Sequence, residues 1–198
     1  MQLVICASLQ VLLALPFLLE SPFNYLMGAF DLGRVFLFKW TVNWRFLPEE
    51  VFVHRGFHAV LLVAHALFLL AALPKWWRML RSYATLRRHD AGPSSAVQLL
   101  LLPLFMANFI GMAFARSLHY QFYVWYFHQL HYLLWCTALP VKYKLLVLGI
   151  IEICWNTYPS TGWSSGWLHA CHLVILFSLF SYVRGVTNYA ETPRTKQS

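Results

Sequence analysis

Apolar runs alternate with polar, basic segments along the whole chain, and this alternation predicts membrane-spanning helices. A membrane span needs about 20 mainly apolar residues, because each helical residue adds only about 1.5 Å to a path of about 30 Å. The apolar runs cover residues 2–19, 56–73, 97–115, 122–139, 145–158 and 163–183. We therefore predict an all-α, polytopic transmembrane fold with about six spans.

Prolines and length distinguish the individual runs. Proline lacks a backbone N–H and breaks or kinks a helix. We expect Pro74 to close the second span, Pro103 to bend the third and Pro140 to close the fourth. Residues 145–158 are short for a full span. Even a tilted or locally thinned bilayer does not fully account for this length, so the run predicts a broken or re-entrant helix that lines a cavity.

The polar segments between the runs differ in character. Residues 21–55 carry charged residues among Trp and Phe, a pattern typical of helices that lie in the membrane interface. Residues 184–198 form a polar tail, which we expect to be cytosolic and disordered. The chain thus divides into a transmembrane helical domain, residues 1–183, and this tail. The first run lacks a basic leading region and a cleavage pattern, so it predicts a span rather than a signal peptide.

The charges indicate an orientation rather than a nucleic-acid site. At 60% hydrophobic residues the chain exceeds the roughly 45–50% of soluble domains, and its net charge is +8. Its basic residues alternate with the apolar runs instead of forming one patch, which argues against nucleic acid as a partner. Lys and Arg are enriched in residues 75–92, 142–144 and 184–198. By the positive-inside rule these segments face the cytosol, and residues 21–55, Arg116 and residues 155–166 share the opposite side.

Cysteine and histidine spacing predicts neither a disulfide framework nor a metal site. Four cysteines lie within or beside apolar runs, where we expect free, buried thiols: Cys6, Cys136, Cys154 and Cys171. Two histidine pairs have helical spacing, His128 with His131 and His169 with His172. No Cys or carboxylate completes either set, so we expect these histidines to act as hydrogen-bonding groups.

Residues 116–128 combine polar groups and aromatic rings at a membrane boundary. Arg116, His119, Gln121 and His128 are interleaved with six aromatic residues. At helical spacing these polar groups fall on more than one face of a helix, and an unpaired polar group in hydrocarbon costs several kcal/mol. An aromatic belt explains the Tyr and Trp residues alone. The segment therefore predicts a belt together with a polar substrate cavity.

Three Trp-rich segments carry a family resemblance: RSLHYQFYVWYFH at residues 116–128, FDLGR at 30–34 with WTVNWRFLP at 40–48, and WNTYPST at 155–161. They resemble the signature of the endoplasmic-reticulum α-1,3-mannosyltransferases that use dolichyl-phosphate mannose in N-glycan assembly. One departure is His131, where we expect the family to carry Pro. The resemblance implies a multi-pass enzyme of the endoplasmic-reticulum membrane, with the GT-C type glycosyltransferase fold and no cofactor. It also implies that this chain is the carboxyl-terminal part of a longer protein.

The reaction implied by the resemblance is transfer of mannose from dolichyl-phosphate mannose to a five-mannose, dolichyl-diphosphate-linked oligosaccharide. This part of the enzyme would bind the donor and membrane lipid. The catalytic acid of such enzymes is expected in the first luminal loop, which would precede Met1, so we assign no catalytic residue here. The competing interpretation is a truncated, non-catalytic membrane protein or assembly subunit. A transporter is a third option, but no internal repeat supports it.

The candidate substrate-binding residues lie within the matching segments: Arg34, Arg116, His119, Tyr120, Gln121, Tyr123, His128 and Asn156. Arg34 and Arg116 suit a phosphate, because guanidinium stays charged and donates two parallel hydrogen bonds. Each has a structural alternative, an ion pair with Asp31 for Arg34 and interfacial snorkelling for Arg116.

Glu152 is an acidic residue inside an apolar run, which makes it a functional candidate. We favour a structural explanation for it, an internal hydrogen bond to Asn156 or a neighbouring helix. Trp155 and Asn156 could contact a sugar, or the segment around Pro159 could simply build a turn, and the sequence leaves both interpretations open.

Overall fold

The computed structural model describes residues 2–30, 35–88 and 93–191, and the regular elements in these ranges are all helices. The α-helices are α1 (Gln2–Glu20), α2 (Pro22–Ala29), α3 (Glu49–Val53), α4 (Arg55–Arg88), α5 (Pro93–Ala113), α6 (Phe127–Trp135), α7 (Val141–Asn156) and α8 (Gly162–Glu191). Two 3₁₀ helices cover Phe38–Trp40 and Tyr120–Trp125. The all-α fold class predicted from the apolar runs is confirmed for the described residues.

The chain divides into two compact units, Met1–Phe36 and Leu37–Ser198. The first unit contains α1 and α2, whose rings Phe17 and Tyr25 stack with centroids 6.0 Å apart. Helix α1 ends at Glu20, where the sequence predicted the end of the first span, because Pro22 starts a new helix at its first turn. None of the residues of α1 is buried.

The second unit begins with irregular chain and α3, followed by the long helix α4. The course of α4 contradicts the prediction that Pro74 closes the second span. Helix α4 does not close at Pro74 but runs on to Arg88. Ala72 on one side of Pro74, and Trp76 and Met79 on the other, are all buried in the core. Packing on both sides of the proline offsets the single hydrogen bond that it removes.

Helix α5 packs against α4. The Phe68 ring of α4 lies 5.0 Å from the Phe114 ring just beyond α5. Gly111 of α5 faces the His65 ring of α4, and a Cβ added to it would make ordinary van der Waals contact with that ring at 3.8 Å. Pro103 lies inside α5, and the bend expected there stays a prediction.

The fourth apolar run is not one helix, which is a further correction. Residues 116–119 have no helical structure, residues Tyr120–Trp125 form a 3₁₀ helix, and α6 has only 9 residues. The helical spacing assumed for the polar groups of residues 116–128 is therefore wrong at the beginning of this segment. Tertiary contacts explain the difference. Val42 N donates to the Leu118 carbonyl and Leu118 N donates to the Asn43 side-chain oxygen, which holds this segment extended.

Helices α7 and α8 complete the core of the second unit. Helix α7 has 16 residues, or about 24 Å at 1.5 Å per residue, so the short fifth run is confirmed as a short helix. It packs along α8, and Ile151, Leu168 and Ile175 are fully buried.

Within the part of the chain that the structure describes, three helices are long and apolar enough to cross a membrane: Gln2–Glu20, Arg55–Thr85 and Gly162–Val183. A shorter apolar helix covers Leu99–Ala113. The four cysteines are free, as predicted. Cys154 and Cys171 are buried, but Cys6 is exposed, because it lies on α1.

Candidate functional site

Three chain segments that are distant in sequence meet in the second unit near the end of α5 and the start of α8. We call their meeting point the loop junction, formed by residues 41–45, 115–120 and 157–165. Its centre is the fully buried side chain of Asn43. The Asn43 amide donates to the Ala115 carbonyl at 2.8 Å, and its oxygen accepts from Leu118 N at 2.9 Å and Thr41 Oγ1 at 2.8 Å. One side chain thereby fixes the chain on both sides of Arg116.

Further hydrogen bonds connect the three segments. Val42 N donates to the Leu118 carbonyl at 2.8 Å, and Trp44 Nε1 donates to the Ala115 carbonyl at 2.8 Å. Ser160 Oγ donates to the Thr41 carbonyl at 2.7 Å. The matching motifs at residues 40–48, 116–128 and 155–161 are therefore assembled at one place, although they are distant in sequence.

The first turn of α8 anchors the junction. Ser165 Oγ donates to the Asn43 carbonyl and accepts from Arg45 N at 2.9 Å. Thr161 Oγ1 accepts from Ser164 N at 3.1 Å, which satisfies one of the free N–H groups at the helix start. Because the donors and acceptors are paired in this way, residues 41–45 are held rigidly against α8.

Tyr120 connects the junction to the end of α7. Its hydroxyl donates to the Thr157 carbonyl at 2.7 Å, and its ring lies 5.6 Å from the ring of Tyr158. Burial raises the pKa of Tyr120, while hydrogen bonding with Ser160 and the positive charge of Arg45 act in the opposite direction. The Tyr120 hydroxyl therefore acts as a neutral hydrogen-bonding group at physiological pH.

Tyr123 and Asn156 bind the same carboxylate, that of Glu152, and the sequence did not indicate the contact from Tyr123. The Tyr123 hydroxyl donates to Glu152 Oε2 at 2.6 Å, and the Asn156 amide donates to Glu152 Oε1 at 2.9 Å. The expected hydrogen bond between Glu152 and Asn156 is confirmed. We call these three residues the carboxylate cluster. Since Glu152 and Asn156 are exposed, the cluster presents an oriented carboxylate at the surface of this unit.

Trp155 does not provide an open face for a sugar. It is buried, its ring stacks on Tyr123 with centroids 5.1 Å apart, and Trp155 Nε1 donates to the Tyr126 hydroxyl at 2.7 Å. The Tyr126 hydroxyl also lies 2.9 Å from His172 Nε2. This buried set links the 3₁₀ segment to α7 and α8, and it removes Trp155 as a sugar-stacking residue in this arrangement.

The remaining candidates are spread around the junction. Arg116 is half-buried between the two backbone groups that Asn43 binds. His119 is half-buried with its ring 5.8 Å from the Phe122 ring, and Gln121 is exposed. His128 is exposed on α6, and its Nε2 lies 3.4 Å from Gln129 Nε2. It is outside the segments that form the junction. Arg34 and its alternative partner Asp31 lie outside the described residues.

Sequence reasoning missed Asn43 and Arg45, although both belong to the WTVNWR motif that supported the resemblance. The available signal was an Asn directly between Val42 and Trp44, since such an amide needs partners when it is buried. The described residues contain no group of three or more His, Cys, Asp or Glu side chains that could hold a metal ion.

The comparison with protein families identifies the chain. The family model described as "ALG3 protein" matches residues 1–165. The chain belongs to this family. The membership confirms the resemblance inferred from the three Trp-rich segments.

Curated members of the family are close in sequence and longer than this chain. A Mus musculus protein is 56% identical over 191 residues, which cover 90% of this chain and 43% of that protein. A Homo sapiens protein is 57% identical over 187 residues, which cover 89% and 42%. An Arabidopsis thaliana protein is 45% identical over 192 residues, which cover 88% and 44%. All three are named "Dol-P-Man:Man(5)GlcNAc(2)-PP-Dol alpha-1,3-mannosyltransferase".

The chain therefore spans under half the length of these three relatives. No solved structure matches it.

Proposed function

We propose that this chain is part of a membrane mannosyltransferase that moves mannose from dolichyl-phosphate mannose, in α-1,3 linkage, to the five-mannose, dolichyl-diphosphate-linked oligosaccharide. The names of its relatives supply the donor and the acceptor. The structural observation that carries the proposal is the loop junction, where Asn43 connects the motif at 40–48 to the motif at 116–128. In this enzyme, the chain forms the part that binds the donor substrate and membrane lipid.

The proposed setting is the endoplasmic-reticulum membrane, with the loop junction on the luminal side. The excess of Lys and Arg in residues 75–92 and 142–144 supports this orientation. We propose that α5, the residues 122–139 and α7 occupy membrane depth together with the three longer helices, giving about six crossings within a GT-C type fold. Short or irregular segments are tolerated at that depth where they are buried in protein or line a cavity.

At the loop junction, Arg116 is proposed to contact the phosphate of the donor substrate, and His119 is proposed to add a hydrogen bond. Arg34 is a second proposed phosphate ligand, from the segment at 30–34. Tyr120, Gln121, Tyr123, His128 and Asn156 are the other proposed substrate contacts. Transfer also requires a general base that activates the acceptor hydroxyl. We place this catalytic carboxylate in the part of the enzyme that lies outside this chain.

The test is mannose transfer by the complete protein that contains this chain, purified in lipid. We expect transfer from dolichyl-phosphate mannose to the five-mannose acceptor, and a product that an α-1,3-specific mannosidase digests. Dolichyl-phosphate glucose is the matched donor control, because it shares the lipid phosphate and differs in the sugar. The isolated 198-residue chain should be inactive.

Two results would contradict the proposal. A complete protein that is folded and monodisperse but transfers no mannose would favour the alternative of a non-catalytic membrane protein. Transfer by the isolated chain at the rate of the complete protein would instead place the base within it, at Glu152 or another of its carboxylates.

A further inference from the structure

Arg45 is a half-buried cation whose described contacts carry no negative charge. Its Nη1 donates to the Phe38 carbonyl at 3.0 Å, and its guanidinium carbon lies 4.4 Å from the centre of the Phe38 ring. Both contacts orient the side chain, and neither neutralises it. A guanidinium that is partly removed from water and has no carboxylate partner is unfavourable unless an anion completes its environment.

The position of Arg45 is fixed from both ends. Its backbone N–H donates to Ser165 Oγ at 2.9 Å, two residues after the buried amide of Asn43. At the other end, the Phe38 ring packs against the fully buried ring of Phe52 at 5.3 Å. Little rotamer freedom therefore remains to be lost when a ligand binds, which favours tight binding of a small group.

The guanidinium keeps free hydrogen-bond capacity. Arginine has several N–H donors in a planar fork, and a single one is used by the Phe38 carbonyl. Arg45 follows Asn43 by two residues, and the Asn43 side chain binds the Ala115 carbonyl and Leu118 N, so Arg45 belongs to the part of the junction that contacts the motif at 116–128. A tetrahedral oxyanion matches this fork, because its oxygens accept two parallel bonds.

We propose that Arg45 binds the phosphate of a lipid-linked sugar at the loop junction. This inference rests on the proposed function and adds a residue that neither composition nor helical periodicity indicated. The same chemistry is present in two substrates, the single phosphate of the donor and the diphosphate of the acceptor. Kinetics with each substrate varied separately distinguish the two sources.

The first experiment uses the complete protein with Arg45→Gln, Arg45→Lys and the control Lys39→Gln. Lys39 is an exposed cation on the same segment, 5.2 Å from the Trp40 ring, so it controls for the loss of one charge. We expect Arg45→Gln to raise the KM of one lipid substrate about ten- to hundredfold. Arg45→Lys should have an intermediate effect, because it keeps the charge and loses the fork. Lys39→Gln should leave both KM values within about twofold.

Each kinetic outcome has one meaning. A raised KM for donor alone assigns Arg45 to the donor phosphate, and a raised KM for acceptor alone assigns it to the diphosphate. Unchanged KM values for both substrates, or equal effects of Arg45→Gln and Lys39→Gln, overturn the inference.

The second experiment uses the unaltered protein and needs neither turnover nor a stable variant. Phenylglyoxal modifies accessible arginines, and mass spectrometry of the Arg45 peptide measures the extent. We expect polyprenyl phosphate to slow modification of Arg45 at least fivefold, with no protection by the uncharged polyprenol. Equal modification in all samples overturns the inference, as does equal protection by phosphatidic acid, which would indicate a general lipid-phosphate contact. If the protein transfers no mannose, the proposed function fails while this experiment still decides the role of Arg45.

Discussion

The loop junction and the carboxylate cluster are two polar regions of the same unit, and they use their hydrogen bonds in opposite ways. Asn43 is fully buried and binds backbone groups of a segment more than 70 residues away. Glu152 is exposed and binds two side chains, one of them four residues away on its own helix. The loop junction fixes the path of the chain, and the carboxylate cluster orients a negative charge at the surface of the unit.

Burial explains why these regions should respond differently to substitution. Removing one partner of a buried hydrogen bond leaves the other group with neither a protein partner nor water, which reduces stability by about 1–3 kcal/mol for each such group. At an exposed site water replaces the lost partner, so the cost is smaller. The predictions below test this difference, beginning with the largest effect.

The largest effect is expected for Asn43→Ala. It leaves Leu118 N and Thr41 Oγ1 without their partner, so we expect a loss of roughly 2–5 kcal/mol in stability. Thermal and denaturant unfolding of the complete protein in detergent measure it. Asn156→Ala is the matched control, because it removes an exposed amide of the same kind and should cost less than about 1 kcal/mol. Equal losses in the two variants would remove the distinction between the regions.

The second prediction concerns Arg116, which Asn43 positions from both sides. If Arg116 contacts the donor phosphate, Arg116→Gln should raise the donor KM about ten- to hundredfold, from a loss of about 1.5–3 kcal/mol. Arg116→Lys should be milder. The acceptor KM should stay near its normal value, and stability should change little. Unchanged donor kinetics for Arg116→Gln would make this residue an interfacial anchor.

A smaller effect is expected in the carboxylate cluster. Tyr123→Phe and Glu152→Gln each weaken the 2.6 Å bond between these side chains. A double-mutant cycle on unfolding stability should give a coupling of about 1 kcal/mol, typical of a single hydrogen bond. A coupling near zero would show that the contact contributes nothing measurable, and a value above about 3 kcal/mol would place the cluster in the same class as the junction.

The smallest effect on stability is expected from two glycosylation sequons that test orientation. Glu49→Asn with Val51→Thr, and Val141→Asn with Tyr143→Thr, replace exposed side chains and should each change stability by less than about 0.5 kcal/mol. In microsomes the first site should acquire a glycan and the second should not. Modification of the second site alone would place the loop junction in the cytosol.

The apolar pattern predicted those features that depend on local sequence. It located α1 and the start of α8, although α8 continues beyond the predicted end at residue 183 to Glu191. It also identified the short α7, because helix length and hydropathy are local properties. The same is true of the bond between Glu152 and Asn156, which is set by helical spacing.

Features that depend on distant contacts were not predictable in this way. Helix α4 continues through Pro74 because the residues around it are buried against the core. The segment at 116–119 is extended because Asn43 and Val42 bind it from another part of the chain. Hydrophobic periodicity shows which residues are apolar, but it does not show which carbonyl a buried amide will meet.

The span of the Asn43 contacts also has a consequence for synthesis. Ser165, which completes the junction, follows Asn43 by 122 residues. At about 5–20 residues per second, the ribosome needs roughly 6–24 s to cover that distance. During this interval the backbone groups of Asn43 and Arg45 must be hydrated or held by an assisting factor. Nascent chains arrested before residue 165 should therefore be the form of this protein that insertion chaperones retain and quality-control proteases recognise.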